Sequence, residues 1–155
     1  MEIRIPGRNY LDIQNLVLDM NGTIAVDGEL AADVAERLQR LQTDLRLVMI
    51  TADTHGGASR IQGGLGLETI VLQAGEEPER KLDLLRQLGM DRSVAIGNGA
   101  NDVLMLKEAA IGICVVGPEG ACTAALLVAD VVVTDIRDAL DLLLVPRRLM
   151  ATLRR

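Results

Sequence analysis

The chain has 155 residues, 49% of them hydrophobic, with a formal net charge of -6 and a pI near 4.8. This length suits one domain with a sizeable core. One Tyr and no Phe or Trp leave no platform for base stacking, and the acidic balance opposes a phosphate backbone, so no nucleic-acid partner is expected.

No apolar run approaches the roughly 18 residues of a membrane span. The opening MEIRIPGRNY has no apolar signal core. Cys114 and Cys122, the only cysteines, form no CxxC pair and are expected as buried, reduced thiols. The expectation is a soluble, cytoplasmic protein with no membrane partner.

In chain order, residues 3–5 read as a small strand ahead of a first core strand at 16–18. A helix over 31–41 places Val34, Leu38 and Leu41 on one face, and strands follow at 45–50 and 69–72. A second helix over 78–88 aligns Leu82, Leu85 and Leu88 and stops at Gly89. Strands at 93–96, 111–116 and 131–133 then alternate with helices over 101–109, 121–129 and 135–144. The strand runs are continuous and rich in β-branched residues, as strands buried on both faces should be. The alternation predicts an α/β fold with a doubly wound, mostly parallel sheet and helices on both faces. Residues 1–155 read as a single domain with its core at about 11–140. A helical tail follows; its last segment, 146–155, carries Arg147, Arg148, Arg154 and Arg155 and is expected to face solvent.

Polar residues gather at the carboxyl ends of three strands, where open α/β sheets bind ligands. Asp19 could attack phosphorus and form an aspartyl-phosphate. The Thr51 hydroxyl and the backbone N–H groups after it, from Ala52 on, could hold phosphate oxygens. Lys81 could neutralise the phosphate, and Asn98 and Asp102 could bind Mg²⁺ together with Asp19. Gly22 suits a tight turn, and Gly97 and Gly99 permit close backbone approach. Taken singly, each has a plainer reading: Asp19 as a turn residue, Thr51 as a helix cap, Lys81 as a surface lysine. Convergence at one sheet edge favours chemistry. His55, the only histidine, reads first as a structural or surface residue, with a proton shuttle as the sharper alternative.

Together these residues resemble the haloacid dehalogenase superfamily. Asp19-Met20-Asn21-Gly22-Thr23 is similar to its first motif, DxDGT, and Thr51 to the second. Lys81 matches the third, and Gly97-Asn98-Gly99-Ala100-Asn101-Asp102 resembles GDGxND. The nearest branch looks like the phosphorylation domain of P-type ATPases, with Thr51-Ala52-Asp53 mimicking TGD, and within it soluble, capless members. The intervals from Asp19 to Thr51 and from Thr51 to Lys81, 32 and 30 residues, are too short for a cap or nucleotide domain. Residues 24–30 would form a short flap. The resemblance implies a Mg²⁺-dependent phosphohydrolase acting on a small phosphorylated metabolite. Its metal would be held by Asp19, the Asn21 carbonyl and Asn98, with Asp102 close by or acting through water. Phosphate would be held by Gly22, Thr51, Ala52 and Lys81.

Two departures weaken that picture. Asn21 stands where the family carries its acid/base Asp, and an amide cannot transfer that proton. Asn98 replaces a charged metal ligand, so weaker Mg²⁺ binding is expected. Slow turnover is the leading expectation. A regulatory or phosphate-binding protein without turnover is the alternative, and a receiver-type phosphoacceptor is a third reading. Capless relatives often cover the site with a neighbouring subunit, which implies a homo-oligomer, with a tetramer as one form.

Overall fold

The computed structural model describes residues 1–7, 10–52, 61, 63–73 and 75–154. Strands β1 (Glu2–Arg4) and β2 (Tyr10–Asp12) pair as an antiparallel hairpin. The main sheet holds β3 (Asn15–Asp19), β4 (Arg46–Thr51), β5 (Glu68–Val71), β6 (Ser93–Gly97), β7 (Ile111–Val115) and β8 (Val131–Val133). All pairings in it are parallel, in the order β5-β4-β3-β6-β7-β8. The winding switches direction between β3 and β6, so the crevice lies at the carboxyl ends of these two strands.

Side-chain parity sorts the core into two layers. Leu16 and Leu18 of β3, Leu47 and Met49 of β4, and Ile96 of β6 face one way. They pack against α1 (Ala32–Leu41), through Val34 and Leu38, and α5 (Ile136–Leu144), through Leu140 and Leu143. Val17, Val48, Ile50, Ala95 and Cys114 face the other way. That side is covered by α2 (Glu77–Leu88), α3 (Val103–Glu108) and α4 (Thr123–Val128). The amphipathic i, i+4 rows put one apolar stripe of each helix on the sheet. Asp135 caps α5 by accepting from the Arg137 N–H at 2.8 Å.

The doubly wound sheet is as the β-α alternation predicts. Two expectations need correction. The first small strand ends at Arg4 and has a partner in β2. The chain's last segment is not a solvated tail: α6 (Pro146–Leu153) buries Leu149 and Leu153 in the core beside α5. Their i, i+4 spacing seats one face of α6, and Arg147, Arg148 and Arg154 stay exposed on the others. Cys114 is buried and Cys122 half-buried, both as free thiols. No helix among the described residues is long and apolar enough to cross a membrane.

Candidate active site

Parity explains why Asp19 becomes a buried acid. It ends β3 on the same face as Val17, the face covered by α2. From the second turn of α2, Lys81 reaches that spot with its side chain fully buried. The Lys81 Nζ stands 2.6 Å from Asp19 Oδ1 and 2.6 Å from Asp102 Oδ1. A lysine read from sequence as a helix-start residue is thus the central cation of the site.

The remaining Asp102 oxygen is also committed. Asp102 Oδ2 accepts from the backbone N–H groups of Asn98 and Gly99, at 2.9 and 2.8 Å. Gly97 makes room for it, since a Cβ there would lie 2.5 Å from Asp102 Cγ. Asp102 therefore fixes both Lys81 and the turn after β6.

Asn98 points back toward the first loop. Its Nδ2 donates to the Gly120 carbonyl at 3.2 Å, which turns Oδ1 toward Thr23. The Thr23 hydroxyl lies 3.0 Å from Asn98 Oδ1 and 3.1 Å from Asp19 Oδ2. Thr23, part of the first motif but without a role expected from sequence, joins the two loops. One hydroxyl proton serves one acceptor at a time, so Thr23 cannot fully satisfy both oxygens.

Thr51 ends β4 one step beyond the Asp19–Ile50 register pair and is almost fully buried. This sets its hydroxyl at the same sheet edge as Asp19, with Ala52 following. Gly22 turns the loop with φ +73°, a conformation that favours glycine. The Asn21 side chain is exposed at the rim. Met20 O accepts from the N–H groups of Thr23, Ile24 and Ala25, and the Asn21 carbonyl accepts no backbone hydrogen bond among the described residues. The flap over 24–30 has buried Ile24 and Ala25 at its base and a tight Val26–Glu29 turn at its tip. Asp53 and His55 lie outside the described residues.

Burial and the negative charge of Asp102 push the Asp19 carboxyl up to about 6, against the opposing pull of Lys81 and Thr23. Burial disfavours the Lys81 cation, yet the charges and hydrogen bonds of Asp19 and Asp102 outweigh it and hold its pKa above the ordinary value. Lys81 is therefore a permanent cation. Among the described residues no group of three or more His, Cys, Asp or Glu side chains is arranged to hold a metal. A cation here would meet one carboxylate and neutral oxygens. A cavity of about 340 Å³ opens beside Thr23, walled by Ile24, Val26, Val115, Pro118 and Arg137.

The site is thus a buried Asp19 at the end of the central strand, bridged by Lys81 to Asp102 and flanked by Thr23. A family model of haloacid dehalogenase-like hydrolases matches residues 8–110, and the chain belongs to that family. It is 51% identical over 84 residues to the uncharacterized protein MJ0073 of Methanocaldococcus jannaschii, covering 52% of this chain and 90% of that protein. It is 37% identical over 97 residues to the zinc/cadmium/lead-transporting P-type ATPase of Escherichia coli, covering 61% of this chain but only 13% of the transporter. Among solved structures it is similar to the 3-deoxy-D-manno-octulosonate 8-phosphate phosphatase of Moraxella catarrhalis, with a TM-score of 0.73 at 22% identity. That match covers 92% of this chain and 94% of the phosphatase, which was solved with magnesium, phosphate and KDO. At this identity the likeness speaks for the fold.

Proposed function

We propose that the protein is a Mg²⁺-dependent phosphohydrolase that acts slowly on a small phosphorylated metabolite through a phosphorylated Asp19. The observation that carries this is the Asp19 carboxylate, held between Lys81 and Thr23 at the edge of the sheet beside Thr51. An acid so placed can serve as nucleophile, with a cation and a hydroxyl ready for phosphoryl oxygens.

The Mg²⁺ assignment has support in the donor set. Asp19 Oδ2 and Asn98 Oδ1 converge on the Thr23 hydroxyl, and among the described residues the Asn21 carbonyl accepts no backbone hydrogen bond. Hard oxygen donors of this kind fit Mg²⁺. Asp102, with both oxygens engaged, would support the site from behind or through water. When bound, Mg²⁺ would neutralise phosphoryl charge.

Asp19 attacks phosphorus, the bond from phosphorus to the leaving oxygen breaks, and that oxygen takes a proton from solvent water. Water then attacks the aspartyl-phosphate, its bond from phosphorus to Asp19 breaks, and inorganic phosphate leaves with the carboxylate restored. Thr51, Lys81 and the backbone at Gly22 and Ala52 hold the transferred group. The cavity beside the flap would take the leaving group; its volume is at the small end of metabolite sites. The phosphatase with a similar fold acts on a sugar-acid phosphate, in keeping with a small anionic substrate here.

Asn21 favours a second reading, a phosphate-binding regulatory protein without turnover. A panel of phosphate esters with Mg²⁺ separates the two. Release of phosphate that Asp19→Asn abolishes supports the enzyme; no release from any ester supports the second reading. The short intervals between the motif residues leave no room for a cap, and by analogy with capless relatives a homo-oligomer, with a tetramer as one form, would cover the site with a neighbouring subunit. A strict monomer at high concentration rules that out. Reduced Cys114 and Cys122 are in keeping with a cytoplasmic location.

A further inference from the structure

The site has lost the charge expected at position 98, yet a carboxylate from another loop stands beside the vacated position. Gly22 is the meeting point. A Cβ on Gly22 would lie 2.6 Å from Asn98 Nδ2 and 2.8 Å from Glu119 Oε2. Both groups therefore converge on one bare patch of backbone, directly after Asn21. The approach is built into the loops: Gly117 lets its backbone come close to the Gly22 carbonyl, and the Gly120 carbonyl holds Asn98 Nδ2 at 3.2 Å. Among the described residues Glu119 is exposed and has neither a salt bridge nor a hydrogen bond of its own. Among the described residues no cation pairs with its carboxylate.

We propose that Glu119 is an outer carboxylate of the cation pocket, supplying from the loop after β7 the negative charge that Asn98 lacks. The inference rests on the Mg²⁺-dependent reading of the site. Lys81 already offsets one of the two buried aspartates, so Asp19 and Asp102 together present a single net negative charge to a divalent ion. A third carboxylate at the rim raises that attraction. It stands outside the direct donors, where it can hold a water of the ion's hydration shell. This also accounts for an amide at position 98: an aspartate there would lose the bond to Gly120 and face Glu119 with like charge.

The test is Mg²⁺ affinity without substrate, read by calorimetry and by the Mg²⁺-dependent rise in Tm, on wild type, E119Q, N98D and N98D/E119Q. Glu119 is exposed, so E119Q should fold normally. It is expected to bind Mg²⁺ about ten-fold more weakly or worse, the scale for loss of an outer-shell partner. N98D/E119Q should recover affinity toward wild type, because the charge is returned at the neighbouring position; a merely structural role for Glu119 predicts no such rescue. Unchanged affinity in E119Q, or no recovery in the double variant, overturns the proposal. If wild type binds Mg²⁺ and a D19N control does not, the metal site stands and the E119Q result bears on Glu119 alone. If wild type binds no Mg²⁺, the metal reading falls and the Glu119 proposal falls with it.

Discussion

The Lys81 ammonium and the Asp19 carboxylate stand 2.6 Å apart, with the lysine wholly removed from water. Asp102 holds the same ammonium at the same distance from its other side. Removing the cation would leave two carboxylates facing each other in the interior. Lys81→Met is therefore expected to cost about 3–5 kcal/mol in denaturant unfolding, the scale for breaking a buried ion pair. Asp19→Asn leaves Lys81 paired with Asp102 and is expected to keep or raise the unfolding midpoint. Equal losses in the two variants would contradict this arrangement.

The same burial gives a pH signature in the metal-free protein. The Asp19 carboxyl is raised from 3.8 to about 6, chiefly by desolvation and then by Asp102. A carboxyl raised by folding holds its proton more tightly in the folded state. Its contribution to stability is complete below the unfolded pKa of about 4 and is lost as the pH climbs through about 6. The Tm of wild type should thus fall relative to that of Asp19→Asn across this window. A constant difference between them would show that Asp19 does not titrate there.

Asn21 sets the expected rate. General acid or base assistance is worth about 10²–10⁴-fold. Asn21→Asp should therefore raise kcat on alkyl phosphates by roughly ten-fold or more, a cautious share of that range. Aryl phosphates, whose leaving groups need no proton, should gain only through the second step, the hydrolysis of the aspartyl-phosphate. Wild-type protein that is already fast on alkyl phosphates would refute the expectation and point to another proton donor.

Gly97 supplies a steric test. A Cβ there would stand 2.5 Å from Asp102 Cγ, so Gly97→Ala must displace the residue that fixes Lys81 and the N–H groups of Asn98 and Gly99. It is expected to cost about 1–3 kcal/mol, as overpacking does, and to depress turnover as well. Gly63→Ala, with nothing within 4 Å of the added Cβ, is the matching control and should leave turnover unchanged. A Gly97→Ala protein with wild-type stability would contradict the close approach.

The parallel sheet was legible because its strands are unbroken apolar runs, and the site because polar residues interrupt those runs at their carboxyl ends. Lys81 was legible as a motif residue but not as a buried one. The signal lay in its i, i+4 spacing from Leu85, which puts it on the core stripe of α2. Leu149 and Leu153 carried the same signal for α6, masked by flanking arginines. Thr23 depends on a contact across 75 residues of chain, to Asn98, and no local pattern reports it. Glu119 depends on two loops meeting over a glycine, which periodicity cannot show.

The central claim is that phosphoryl transfer passes through Asp19, and trapping the phosphorylated protein tests it most directly. Wild type and Asp19→Asn would each be mixed with an aryl phosphate and Mg²⁺, quenched in acid, and read by intact-protein and peptide mass spectrometry. The account predicts one added phosphoryl group on the wild-type peptide containing Asp19, building up because Asn21 leaves the attacking water without a base. It predicts no such group and no phosphate release with Asp19→Asn. Phosphate release by Asp19→Asn at the wild-type rate would contradict it.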